Sequence, residues 1–144
     1  AGNLVIVGDK PGAGQAMKTV NQLLCGVHIA AAGEAMALAG KLGLDQKAAL
    51  EALMSGAAAS FMLGDRGPRM LEAYTEEGAE VKSREDIFVK DMGIVTAAAK
   101  SVGIAVPVAA AAEQQYLQGL AHGLAAKDDS TIITVVSPDD PRGA

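Results

Sequence analysis

The chain has 144 residues, enough for one domain with a proper core, and half of them are hydrophobic. Only two Phe, two Tyr and no Trp contribute, so the core has to be built from Ala, Leu, Val, Ile and Met, which suits close helix packing. A net charge of −5 with no basic cluster argues against nucleic acid as a partner, and the single Cys excludes an intrachain disulfide or a cysteine-based zinc site and fits a reducing, cytoplasmic setting.

Residues 3–7 (NLVIV) read as a short strand and residues 8–14 (GDKPGAG) as a turn. Lys10 follows this first apolar run instead of preceding it, which is not the order of a secretory signal. A strand followed by Gly12-Ala13-Gly14 has the look of a dinucleotide-binding fingerprint, with Glu34 at a plausible distance for a ribose acid. Yet Met17 stands where that fingerprint needs Gly or Ala, the turn is too long, and no second strand follows. The glycines are therefore read as a structural turn.

Residues 12–42 then run as one long helical pattern. At about 100° per residue, Lys18, Asn21, Gln22 and Cys25 share one narrow face, with His28 at its edge and Glu34 and Lys41 roughly opposite. Nearly every other position is apolar or Gly, which predicts a central, buried helix. Its length approaches that of a membrane span, but His28, Glu34 and Lys41 interrupt it and Ala and Gly are weak membrane formers, so no membrane partner is expected. Gly26, Ala30, Gly33, Ala37 and Gly40 form a small-residue stripe along which another helix could approach, within the chain or across a subunit interface.

Gly43 closes this helix, and Asp45 caps the next, over residues 46–54. Ser60 caps a stretch over 61–70 that Gly64, Gly67 and Pro68 disturb. Residues 72–82 are polar and acidic and read as a loop. A second strong helix spans 84–102 with Ser83 as its cap and Gly103 at its end. Pro107 opens another, to about residue 124. Asp128, Asp129 and Ser130 cap a last short segment, 131–136, whose β-rich composition competes with its cap, and 137–144 is expected to be a disordered tail.

The expectation is an all-α fold of five to seven helices: a multi-helix domain around one long central helix, with a short N-terminal strand. A lone strand cannot satisfy its own backbone groups. It is expected to pair with another copy or to belong to a sheet outside this chain, which would make the sequence a piece of a longer protein.

The wording GAGQAMKTVNQ, then EAMALAGKLGLD, then DIFVKDMGIVTAAAKSVGIAVP resembles the C-terminal domain of the β-hydroxyacid dehydrogenases, the family of 3-hydroxyisobutyrate dehydrogenase. The resemblance covers about residues 5–136, and NQLLCGVHIAAAGEAMALA with DIFVKD is closest to the L-threonate dehydrogenase branch. It implies an NAD(P)-dependent oxidoreductase acting on a small hydroxy acid. In that family an N-terminal Rossmann domain binds NAD or NADP, and the helical C-terminal domain closes the active site and makes the oligomer. Residues 1–14 would then be the strand and turn leading out of that Rossmann domain, and 15–136 the helical dehydrogenase domain. A homodimer or larger homo-oligomer is expected, and the chain alone is expected to bind cofactor weakly and to be inactive. The alternative is a non-enzymatic helical dimerisation module that keeps the family fold.

Oxidising a hydroxy acid removes a hydride from carbon and a proton from oxygen, and an amine near the hydroxyl can exchange that proton when burial tunes it toward neutrality. Lys18 is the only cation on the apolar N-terminal half of the long helix. The resemblance makes Lys18 the catalytic acid/base and Asn21 a substrate ligand, its amide holding a hydroxyl or a carboxylate oxygen; Gln22 is read with Asn21 as substrate-binding, orienting it, or as a cap of the polar end. The residues alone equally allow Lys18 to be a lysine snorkelling at a helix start. The resemblance also makes Lys90, in the Lys90-Asp91 pair, a nicotinamide-cofactor contact; the residues allow an exposed lysine paired with Asp86. Phe88 is read either as a wall of the cofactor pocket or as core. His28 reads as a core histidine, since nothing in the spacing to His122 suggests a metal. Cys25 reads as packing, and Glu34 as paired with a residue the sequence does not name.

Overall fold

The computed structural model describes residues 7–143. The expected strand 3–7 lies, except for Val7, outside the described residues. Among the described residues there is no strand, and six α-helices follow in order. They are α1 (Ala13–Lys41), α2 (Gln46–Met54), α3 (Phe61–Glu72), α4 (Glu85–Ser101), α5 (Pro107–Ala121) and α6 (Ile133–Val136), the last entered through a 3-10 turn, Asp129–Ile132.

Local chemistry explains most of the boundaries. The Asp45 carboxylate accepts from the Ala48 amide at 3.1 Å, and Ser60 Oγ accepts from the Leu63 amide at 3.0 Å. Gly43 and Gly103, at φ +82° and +76°, turn the chain out of α1 and α4. Two boundaries differ from the sequence reading. The third helix continues through Pro68 to Glu72, because Gly64 and Gly67 let α2 pack close, with Met54 and Leu50 filling the space a Cβ would take. Ser83 does not cap α4: the helix starts one residue later, behind Arg84. There the free amides of Glu85 and Asp86 donate to the carbonyls of Lys127 and Ala125 at 2.9 and 3.1 Å.

The core lies around the C-terminal half of α1. Ile29, Met36, Met70, Met92, Tyr116, Ile132 and Ile133 are fully buried. The small-residue stripe is used inside the chain. A Cβ on Gly26 would lie 2.3 Å from Met92 Sδ of α4, and one on Gly33 would lie 3.3 Å from Ile132 Cγ2. At Gly40 the neighbours are Gln46 and Pro141. The stripe therefore carries intramolecular packing rather than an open interface. Half of the most apolar window of α1 is buried this way, as a core helix of the same length and composition would be.

Two arginines of α3 bind the end of the chain. Arg69 Nε donates to Asp128 at 2.9 Å, and Arg66 grips Asp129 through Nε and Nη2 at 3.0 and 2.9 Å. Burial would raise the Asp128 pKa, but hydrogen bonds from Ser130, Arg69 and the amides of Lys82 and Ser83 outweigh it and bring it down to about 2. Asp129 is held above its usual value, since burial outweighs its bonds to Arg66. Asp128 does cap the 3-10 turn, as read, whereas Asp129 is half of a buried ion pair and not a cap. Residues 137–143 also depart from the expected disorder. Tyr74 donates to the Ser137 carbonyl at 2.6 Å, Arg142 reaches the Leu71 carbonyl at 3.3 Å, and Pro141 is buried against Gly40.

Candidate functional site

The N-terminal half of α1 extends past the core. No residue from Ala13 to Cys25 is buried, because α4 is what packs near it and the first close crossing is at Gly26. The polar face of α1 is thus exposed along one side and faces α4 along the other, where the sequence alone suggested a wholly buried helix.

Between the two helices lies a cleft of about 60 Å³ lined by Gln15, Lys18, Thr19 and Gln22 from α1 and Lys90, Asp91, Ile94 and Val95 from α4. A larger hollow of about 400 Å³ beside His28, Ala31, Ala35 and Leu53 is walled chiefly by alanine and other apolar groups. The small cleft is where cations, amides and a carboxylate meet. One hydrogen bond closes its floor: Gln22 Nε2 donates to Asp91 Oδ2 at 2.7 Å, half-buried between the helices. Asn21 Nδ2 donates to Gln22 Oε1 at 3.0 Å and points its other hydrogen toward Cys25 Sγ at 3.4 Å.

The structure thus brings Lys18, Gln22 and Lys90 together, with Asn21 on the flank. Lys18, Asn21 and Lys90 are exposed. Asp86 does not pair with Lys90; its carboxylate is held by Arg84 at 2.8 Å, two residues away. Phe88 is 3% exposed and stacks on Tyr116 with ring centroids 5.4 Å apart. Of its two readings the structure takes core, and corrects the other. Phe88 shares the inner face of α4 with Met92 and Val95, while Lys90 and Asp91 point elsewhere. Glu34, left without a named partner, accepts from Gln115 Nε2. Cys25 packs against the core, as read, and its Sγ also accepts from Asn21 Nδ2 at 3.4 Å.

Two features were missed in the sequence. Asp91 binds Gln22, a partner 69 positions away for which the sequence carries no local signal. Glu85 is fully buried, and neither carboxylate oxygen has a hydrogen-bond partner among the described residues. Burial first, then the charges of Asp86 and Asp129, push its pKa up to about 7. An acid in the first turn of a helix reads as a favourable surface charge, which hides this.

Ligand pockets that enclose a small molecule run to roughly 300–1,000 Å³. A cleft of about 60 Å³ with exposed lysines at its rim is too small to enclose one by itself. Among the residues present, the exposed Lys90 is a cation that would suit an anionic or amide group of a nicotinamide cofactor, and the cleft alone does not enclose such a group.

Comparison with known proteins places the chain in a family. The family described as "NAD-binding of NADP-dependent 3-hydroxyisobutyrate dehydrogenase" matches residues 12–136, and the chain belongs to it. L-threonate dehydrogenase of Cupriavidus necator is 40% identical over 136 residues, covering 94% of this chain and 44% of that protein. The enzyme of the same name from Escherichia coli K12 is 36% identical over 138 residues, covering 95% of this chain and 44% of that protein. A crystal structure of 3-hydroxyisobutyrate dehydrogenase from Salmonella typhimurium superposes with a TM-score of 0.83 at 36% identity, over 94% of this chain and 46% of that one. The chain therefore spans less than half the length of these relatives.

Proposed function

We propose that this chain supplies the acid/base half of an NAD(P)-dependent hydroxyacid dehydrogenase, with a threonate-like hydroxy acid as substrate. The observation that carries the reading is the meeting of Lys18, Gln22, Lys90 and Asp91 at one cleft on the part of α1 that the core leaves uncovered. A Rossmann domain of the same protein would lie against that face and complete the site.

In this reading the Lys18 amine takes the hydroxyl proton as the alcohol is oxidised and returns it in the reverse direction. A second domain covering the cleft would exclude water from that transfer. The cofactor, when bound, supplies the hydride acceptor. Lys90 holds its polar edge, and Asn21 and Gln22 orient the substrate. The isolated chain, lacking the cover, is expected to be inactive and to act in the reducing cytoplasm only as part of the whole protein. Homo-oligomer formation is proposed too, now from exposed Val20, Leu24 and Leu38 on α1 rather than from the small-residue stripe. The same side chains favour the alternative, a dimerisation module without turnover.

Kinetics of the intact protein separate the two. Lys18→Met is expected to lower turnover by ~10²–10⁴ while leaving cofactor affinity in place, the usual loss for a positioned acid/base. Asn21→Ala is expected to weaken both substrate binding and turnover. Near-normal turnover in a folded Lys18→Met enzyme would remove Lys18 from the chemistry.

A further inference from the structure

The hydrogen bonds beside the cleft have a direction, and Asp91 sets it. A carboxylate only accepts, so the end of the Gln22 amide that meets Asp91 Oδ2 at 2.7 Å has to be the NH2 group. Amide ends are assigned from their networks, and here the carboxylate decides the assignment. With Nε2 committed, Gln22 turns Oε1 toward Asn21 and accepts from Nδ2 at 3.0 Å. The second hydrogen of that Nδ2 is directed at Cys25 Sγ, 3.4 Å away. Reversing Asn21 would set its carbonyl oxygen against the Gln22 carbonyl oxygen, acceptor against acceptor. Both Asn21 donors are thus engaged within the chain, and Oδ1 has no hydrogen-bond partner among the described residues.

We propose that Asp91 is a positioning residue that, through Gln22, fixes Asn21 with its carbonyl oxygen outward, so that Asn21 selects a substrate hydroxyl and not a carboxylate. This rests on the dehydrogenase reading above and narrows it. Taken alone, an asparagine amide could offer either end to a substrate, and the relay removes one choice. A substrate carboxylate placed at Asn21 would meet an acceptor and be repelled; a hydroxyl donates to it. The Asp91–Gln22 bond is half-buried and spans two helices, so it resists solvent competition better than the exposed Asn21 could by itself.

The relay is read on this chain by NMR of the Asn21 and Gln22 side-chain NH2 groups. Asp91→Asn keeps the shape but offers a donor as well as acceptors, so Gln22 can turn either way. The NH2 resonances of both Gln22 and Asn21 are expected to move, although Asn21 does not touch residue 91. Movement at Gln22 alone would overturn the relay. Selectivity is read on the intact dehydrogenase, as the preference for a hydroxy acid over its deoxy analogue, an inhibitor lacking the hydroxyl. Asp91→Asn is expected to reduce that preference about ten-fold, the size of one hydrogen bond to substrate, with the cofactor Michaelis constant unchanged. Equal weakening of both compounds would mean a merely structural residue and would overturn the proposal. A wild-type enzyme that turns over no hydroxy acid would overturn the dehydrogenase reading and the substrate half of this inference, while the NMR result would still decide the relay.

Discussion

The two halves of α1 both carry large apolar side chains, and these meet opposite fates. From Gly26 onward, Ile29, Ala30, Ala32, Gly33, Met36, Ala37, Ala39 and Gly40 are buried, and the glycines receive Met92, Ile132 and Pro141. Before Gly26, Met17, Val20 and Leu24 are 43%, 54% and 49% exposed, and the polar face lies open beside α4. An apolar helix shows that something must cover it. It does not show whether the cover is the chain's own core or something beyond it. The first half is where the site residues collect, which is what a surface awaiting a second domain would look like.

The comparison is sharpest in stability. Met92→Ala removes a fully buried side chain that fills the notch at Gly26 and is expected to cost ~2–5 kcal/mol in denaturant unfolding of this chain. A loss under about 1 kcal/mol, the range for tolerated core swaps, would mean that the α1–α4 crossing is looser than its geometry.

Glu85 makes a second break in the buried region. Its folded pKa of about 7 stands above the ordinary 4.5, so the folded state holds the proton more tightly than the unfolded one. The resulting stability is complete below about pH 4.5, declines as pH rises toward 7, and is gone above it. At about 1.4 kcal/mol per pH unit between 4.5 and about 7, the decline amounts to at most about 3–4 kcal/mol. Asp128 works in the other direction, in a lower window: its pKa of about 2 gives stability that disappears as pH falls from 3.8 through 2. Urea unfolding between pH 5 and 8 checks the claim. Glu85→Gln, neutral at every pH, is expected to flatten the decline and to be the more stable protein at pH 8. An unchanged slope would place the charge in contact with water.

Effects on the open region are expected to be smaller and of a different kind. In the intact enzyme, Lys90→Ala is expected to raise the cofactor Michaelis constant about ten-fold with little change in stability, as for the loss of one charged contact. An unchanged constant would make Lys90 a surface lysine. In this chain, diluted until it is monomeric, Leu24→Ala is expected to change stability by less than about 0.5 kcal/mol, since Leu24 is half exposed and the substitution leaves no cavity. A larger cost in the monomer would mean that the chain's own residues cover this face.

The helices were legible because their ends carry local chemistry: Asp45, Ser60, Pro107, Gly43 and Gly103 act within a turn of where they stand. The roles proposed for Lys18 and Lys90 come from the family wording, and the structure adds that both line one cleft. What escaped depends on contacts far along the chain. Pro68 looks like a stop until Leu50 and Met54 pack on the glycines beside it. Ser83 looks like a cap until the carbonyls of Lys127 and Ala125 take the amides it would have served. Asp129 looks like a cap until Arg66 claims it, and the tail looks disordered until Tyr74 and Gly40 receive it. Phe88 sits two residues from Lys90 yet on the other face of α4, a distinction that needs the position of Tyr116.

The central claim is that Lys18 moves the substrate proton once its open face is covered. The most direct test is the pH dependence of turnover in the intact dehydrogenase, wild type against Lys18→Met, with folding confirmed for both. The wild type is expected to show an ionisation that governs turnover and that Lys18→Met abolishes along with most of the rate. If Lys18→Met keeps that ionisation and a near-normal rate, the proton is carried elsewhere, and the open half of α1 is a docking surface without chemistry of its own.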